Sequence, residues 1–404
     1  MSEAVLGAPA AAAGAAGIRA AAGARLQSID ILRGLVIVLM VLDHVRDFFH
    51  ATAFTADPLD VAVSDPWLYT TRWVTHFCAP TFVFLAGTSA FLQLDRGKTR
   101  AELSGFLLTR GLWLIVLELT LLNLLWNFQL APPGLQVIWA IGVSMAALSL
   151  LVFLPPMAVL GIGVLIVAGH NAFDPVTPDQ LGAAAPVWTL LHESGMVFVG
   201  PVPVFAAYPL VPWIGVMCLG FGLGRLFLLE PGARARTFLL LGAAMIGAFV
   251  LLRLGNLYGN PWPWAAQDEA WKTAGAFLNV QKYPPSLQYV LATLGPMFLL
   301  VPLFDRLKGP VAEFFLTFGR VPLFAYALHI LIAHAIAQAV SSAMGYPVWG
   351  LITIFIQPDV LKGWGFGLPV VYGVWALVLL MMIPLCRWFG EVKRTRRDWW
   401  LSYL

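Results

Sequence analysis

Ser28-Ile-Asp-Ile-Leu-Arg-Gly-Leu-Val-Ile-Val-Leu-Met-Val-Leu-Asp-His-Val-Arg-Asp-Phe-Phe-His50 decides how this chain folds. It has the length and apolarity of a helix that crosses a bilayer, yet it carries Asp30, Arg33, Asp43, His44, Arg46 and Asp47. Ionisable groups inside hydrocarbon are costly, so they face protein or a polar cavity and generally handle ions, protons or substrates. The segment points to chemistry or transport within a membrane protein and away from a passive anchor.

The rest of the chain agrees. Of its 404 residues 60% are hydrophobic and 11% charged, with a mean hydropathy of +0.81; a soluble domain carries about a quarter charged residues to clothe its surface. Apolar runs near the roughly 20 residues needed to span hydrocarbon predict an all-α polytopic bundle of about ten spans. They lie at 30–50, 76–94, 105–127, 135–153, 157–170, 207–229, 237–255, 287–305, 314–341 and 367–388. The alternating segments of a β-barrel are missing from the sequence, and 348–356 is too short to cross, so it reads as re-entrant or interfacial. Residues 1–26 read as a disordered Ala/Gly-rich tail, 27–390 as the transmembrane domain, and 391–404 as a basic tail. A net charge of +3 gives no reason to expect a nucleic-acid partner. Cys78, Cys218 and Cys386 show no paired spacing, so they read as buried packing thiols and not as a disulfide or metal framework.

Lysine and arginine set the direction. With both termini cytoplasmic, 18 of the 24 basic residues fall on the inner side, among them Arg33, Arg110, Arg320, Lys393 and Arg397. The positive-inside rule favours this orientation over its inverse, in a plasma (inner) membrane. The outer side then carries the long loops 51–75, 171–206 and 256–286, rich in Pro and Trp.

At about 100° per residue on the first helix, His44 falls about 20° from Arg33, with Asp47 at about −40°, Asp30 at about +60° and Asp43 at about −80°. Arg46, at about −140°, is expected to point away. A polar stripe thus runs roughly 16 Å from Arg33 to His44. Asp47 or Asp43 is close enough in sequence to hold the His44 imidazole in one orientation, the arrangement of a general base. His44, His50, His76 and Arg72 can meet at one outer vestibule, and Glu118 lies near the middle of the third span. Arg320 precedes a helix start set by Pro322, a place that favours anionic groups. His329 and His334 face different ways, so a structural hydrogen bond is expected for at least one. The histidine spacings match no zinc motif, and no metal is expected. Gly220-Phe-Gly-Leu-Gly224 lies inside an apolar span and reads as close helix packing.

Several segments carry a resemblance: Arg25–Gly34, Met40-Val-Leu-Asp-His44, Ala79–Gly87, Val137–Gly142, Tyr208–Gly215, Lys282–Leu287 and Gly319–Phe324. Together they resemble the heparan-α-glucosaminide N-acetyltransferase catalytic domain family, over about residues 25–340. The resemblance implies a transmembrane acyltransferase that takes an acetyl group from cytoplasmic acetyl-CoA. The acceptor would be an amine or hydroxyl of a sugar or glycan on the other side. In that reading His44, with Asp43 or Asp47, is the general base or a transient acyl acceptor. Arg33, Arg110 and Arg320 hold the phosphates of acetyl-CoA, and His76, His50, Arg72 and Glu118 meet the acceptor. The loop in which the lysosomal member carries its key histidine has none here between His50 and His76, so His44, His50 and His76 all stay in play. The rival reading is a proton-coupled or anion transporter that uses the same stripe. The oligomeric state stays open, a homo-oligomer included.

Overall fold

The computed structural model describes residues 26–53, 55–396 and 398–403; the alanine-rich tail with Arg19 and Arg25, and Arg397, lie outside them. The elements that matter here are α1 (Gln27–Phe49) and α4 (Val137–Leu151), with α9 (Pro310–Gly319), and eight helices long and apolar enough to cross a membrane. Those eight are α2 (Pro66–Asp95), α3 (Arg100–Asn127), α5 (Pro156–Phe173), α6 (Leu210–Leu228), α7 (Pro231–Leu254), α8 (Leu287–Arg306), α10 (Pro322–Ala343) and α11 (Leu368–Thr395). The protein is all-α and multi-pass.

The expected ninth span, 314–341, is two helices. Pro322 lacks an N–H and its ring disfavours helical backbone at the residue before it; Val321 accordingly leaves the helix at φ −133°, ψ 51°. The second span begins well before residue 76, because Asp65 Oδ1 caps it by accepting from the Trp67 and Leu68 amides at 2.8 and 3.1 Å. The expected basic tail is no separate unit at its start: α11 runs on through Thr395.

α1 is buried almost throughout and is packed among α2, α8, α9, α10 and α11. Helix α6 is also central, with 67% of its apolar window buried, whereas α7 and α11 bury only 22% and turn most of their surface outward to lipid. A Cβ on Gly34 would stand 1.9 Å from the Phe315 carbonyl oxygen, and one on Gly319 would stand 1.8 Å from that of Asp30. Only glycine allows α1 and α9 this approach, which brings the start of α10, with Arg320, beside Arg33. Gly220 likewise meets the Phe84 carbonyl, where a Cβ would come within 1.9 Å, so the glycine cluster of α6 packs against α2 as its composition suggested.

The long loops between spans hold a small sheet. Strands β2 (Gly195–Val199) and β3 (Val202–Ala206) form an antiparallel hairpin, and β1 (Gly134–Leu135) pairs with β3 in parallel. A short helix, Leu351–Ile356, leans on the end of α3, where Asn127 Oδ1 accepts from the Ile352 amide at 2.9 Å. This is the segment read as too short to cross.

Candidate active site

Two cavities open on either side of the middle of α1. The first, about 330 Å³, is lined by Arg33, Arg110, Arg320 and Lys393 at one end and by Met40, Val137, Ile138, Leu323 and Tyr326 farther in. Its lining residues include four cations and no carboxylate. These cations come from α1, α3, the α9–α10 junction and α11, far apart in sequence. Arg33 donates to Asp30 Oδ1 at 3.1 Å and to Ser89 Oγ. Arg320 reaches Glu313 at 3.4 Å in a largely exposed pair.

The second cavity, about 570 Å³, is lined by Asp43, His44, Arg46, Asp47, Arg72, His76 and Trp126 from the helices, and by Tyr208, Lys282 and Tyr283 from loops. Both cavities fall in the size range of small-molecule sites, about 300–1,000 Å³. They abut along α1: Met40 lines the first and His44, one helical turn on, lines the second. Tyr326 closes the gap, its ring 6.4 Å from that of His44.

The His44 ring is held by His329, not by a carboxylate. His44 Nδ1 lies 2.7 Å from His329 Nε2, the rings stack at 4.9 Å, and His329 Nδ1 lies 3.1 Å from the Ala325 carbonyl oxygen. A carbonyl oxygen only accepts. In neutral rings His329 therefore donates from Nδ1 and accepts at Nε2, and His44 must carry its proton on Nδ1. That leaves His44 Nε2 as a bare lone pair. The relay is a carbonyl, an imidazole and a second imidazole in series, which fixes one tautomer.

Asp43 and Asp47 have other partners. Arg46 donates to Asp43 Oδ1 at 3.0 Å and to Asp47 Oδ1 at 2.6 Å, and Arg72 reaches Asp43 Oδ2 at 3.2 Å. The expectation that one of these aspartates orients His44 is corrected here, since neither bonds to the imidazole among the described contacts. Arg46, expected to point away, is corrected too: its long side chain folds back over the turn into this buried cluster, 3% exposed.

His76 enters the same cavity by a local defect in α2. Pro80 cannot donate to the carbonyl four residues earlier and its ring crowds that oxygen. The helix tightens into a 3-10 turn over Val74–Phe77, and the Tyr289 hydroxyl donates to the freed His76 carbonyl at 2.8 Å. The His76 ring is 1% exposed and neither nitrogen has a hydrogen-bond partner. Such a buried, unsatisfied imidazole suits a ligand that supplies the missing bond.

Two residues expected at the acceptor site lie elsewhere. Glu118 lines neither cavity. It opens a π-helical turn, Glu118–Leu122, and its Oε2 accepts from the Trp139 amide at 3.0 Å, satisfying the start of α4. His50 ends α1 and turns back to Thr52, its Nδ1 lying 3.0 Å from Oγ1 and 3.2 Å from the amide. Burial, helped by the Arg46 charge, holds the His50 imidazole below its ordinary value. His334 places Nδ1 2.8 Å from the Leu125 carbonyl oxygen and Nε2 3.0 Å from that of Trp349; its one N–H in the neutral ring donates to one of them, the structural role expected of one of the pair. His329 and Lys282 were not singled out for the site in the sequence, and nothing local marks them; the first is an ordinary apolar-helix histidine until its partner 285 positions away is known.

No curated protein gives a match to this sequence. A sequence model of one family does match: it is described as heparan-alpha-glucosaminide N-acetyltransferase, catalytic, and covers residues 25–255. That stretch takes in α1 to α7 and ends short of Arg320 and His329. With more than half of its length matched, and with His44 lining a cavity inside a bundle of membrane-spanning helices, the chain belongs to the heparan-α-glucosaminide N-acetyltransferase catalytic family of membrane acetyltransferases.

Proposed function

We propose that the protein transfers an acetyl group from acetyl-CoA, bound in the first cavity, to an amine or hydroxyl of a sugar or glycan in the second, with His44 Nε2 as general base. The observation that carries this reading is the position of His44 at the partition, its Nδ1 proton committed to His329 and its Nε2 bare.

The first cavity suits the donor. Arg33, Arg110, Arg320 and Lys393 offer charge-assisted hydrogen bonds to phosphates, and the apolar inner end formed by Met40, Val137, Ile138 and Leu323 suits an uncharged arm. By the positive-inside rule this end faces the cytoplasm, in the plasma (inner) membrane, and the second cavity faces outward. The donor, a substrate, supplies a thioester carbonyl at the partition. His44 Nε2 takes the proton from the acceptor nitrogen or oxygen as that atom bonds to the carbonyl carbon; the thioester C–S bond breaks and the thiolate leaves toward the first cavity. His76, Arg72 and Lys282 surround the acceptor. The protonated His44 is stabilised by the nearby Asp43, and the proton passes to the departing thiolate or to water.

The test uses the whole chain in sealed vesicles. His44→Ala is expected to lower transfer of labelled acetyl from acetyl-CoA by about 10²–10⁴-fold, the scale of a lost general base, while thermal stabilisation by acetyl-CoA persists. Unchanged turnover would overturn the assignment. So would passage of the acceptor across the membrane with no acetyl-CoA consumed, which is the transporter outcome.

A further inference from the structure

A second cluster of ionisable groups lies away from the partition, where α5 gives way to the loop at 171–206. His170 sits in a 3-10 turn that ends α5, Asp174 follows directly, and His192 closes the short helix Ala185–Leu191. One donor atom from each of His170, Asp174 and His192 lies within 4.8 Å of the others. The two imidazoles are 3% and 6% exposed.

The hydrogen bonds leave these groups ready to ligate. His170 Nε2 lies 3.1 Å from the Pro285 carbonyl oxygen, so it carries the proton and donates, and the lone pair sits on Nδ1. That Nδ1 is buried and has no hydrogen-bond partner among the described residues, a penalty that a ligand there would remove. His192 Nε2 lies 2.8 Å from the His170 carbonyl oxygen and donates there in turn. Asp174 Oδ2 accepts from Asn171 Nδ2 at 2.9 Å, while Oδ1 lies 3.7 Å from His192 Nε2, the nitrogen that donates to the His170 carbonyl, so the lone pair His192 keeps for a ligand is on Nδ1. Imidazoles tied to backbone carbonyls, and a carboxylate steadied by an amide, form the usual outer shell of a metal site.

We infer that His170, Asp174 and His192 bind one divalent zinc-class cation, which fastens the 171–206 loop to the wall of the second cavity. Two nitrogens and one oxygen suit zinc and its first-row neighbours, whereas calcium and magnesium prefer all-oxygen shells. Zinc bonds of about 2.0–2.2 Å draw ligand atoms to a little over 3 Å apart, so the three side chains close by roughly an ångström on binding. The mechanical link is on the same residues. His170 donates to the Pro285 carbonyl and Asn171 Oδ1 accepts from the Leu287 amide at 2.9 Å, holding the chain just after Lys282 and Tyr283, which reach the second cavity. This inference stands apart from the acyltransfer reading and holds or fails without it.

The full chain, purified in detergent and stripped with chelator, is titrated with zinc against a competing chromogenic chelator, with elemental analysis and thermal unfolding followed in parallel. One zinc per chain at micromolar or tighter affinity is expected, with a rise in Tm by mass action that neither calcium nor magnesium reproduces. Asp174→Asn keeps the shape of the site and His192→Gln removes one imidazole; each is expected to weaken zinc binding at least tenfold. Absence of stoichiometric zinc in the wild-type chain, or equal binding by wild type and both variants, would overturn the proposal without recourse to any variant that fails to fold.

Discussion

The two cavities along α1 solve opposite electrostatic problems. At the Arg33 end four cations line the space and no carboxylate does, while the Arg320–Glu313 pair at its mouth is mostly in solvent. At the Asp47 end Arg46 and Arg72 are locked against Asp43 and Asp47 in a buried cluster. Cations that line a cavity without a lining carboxylate suit an anion; charge cancelled at close range is part of the fold. Under the proposed function the same residue types serve ligand at one end of α1 and structure at the other, and the difference should be measurable.

The largest effect is expected at the partition. His329→Leu removes the acceptor that fixes the His44 tautomer, and acetyl transfer should fall by about 10²–10⁴-fold. His329→Gln, which can still accept from His44, should recover part of it. The pH profile of transfer separates positioning from mere packing: a leucine variant with an unaltered profile and near-normal rate would detach His329 from His44.

Next comes the contrast in stability. Asp43→Ala leaves the buried Arg72 without its carboxylate and Arg46 with Asp47 alone, and should cost about 3–5 kcal/mol. Arg320→Ala, breaking a pair whose partners are 41% and 62% exposed, should cost under about 1 kcal/mol. Thermal unfolding of the two variants in the same detergent checks this, and similar losses would break the comparison outright.

Binding should show the reverse order. Arg110→Ala or Arg320→Ala should raise the KM for acetyl-CoA by about 10–100-fold, the worth of a hydrogen bond to a charged group, with the acceptor KM unchanged. A rise in the acceptor KM instead would exchange the roles given to the two cavities. The smallest effect belongs to Glu118→Gln. The amide oxygen can still accept from the Trp139 N–H, so stability should shift by about 1 kcal/mol or less and transfer should stay within about threefold. A loss of transfer at the scale of His329→Leu would return Glu118 to the acceptor site.

Much of the first cavity was legible in the sequence. Arg33 lies on a charged apolar helix, Arg110 reads at the inner end of another, and Arg320 precedes Pro322; the structure starts α3 at Arg100, ten residues before Arg110, and still brings all three together. The second cavity was half legible. His44, His76 and Arg72 converge as expected, but the orienter of His44 was sought at Asp43 or Asp47, one or three residues away, and stands in α10. Helical angles describe where a Cβ points, not how far an arginine can fold back, so Arg46 was placed on the wrong side of the cluster. The cluster proposed to bind zinc was not legible because His170 and His192 are separated by a loop whose path no spacing rule encodes.

The sequence by itself determined that this is a membrane-spanning helical bundle, because burying 60% apolar residues with 11% charge leaves no soluble alternative. It determined as well that the charges of α1 face protein or a polar cavity, because hydrocarbon makes each of them too costly to leave in lipid. Only the tertiary structure decided which charges neutralise one another, which histidine sets the proton on His44, and where two cavities meet. Those outcomes depend on contacts between helices far apart in the chain, fixed by close approaches such as Gly34 on Phe315 and Gly319 on Asp30, and nothing local in the sequence specifies which helices meet.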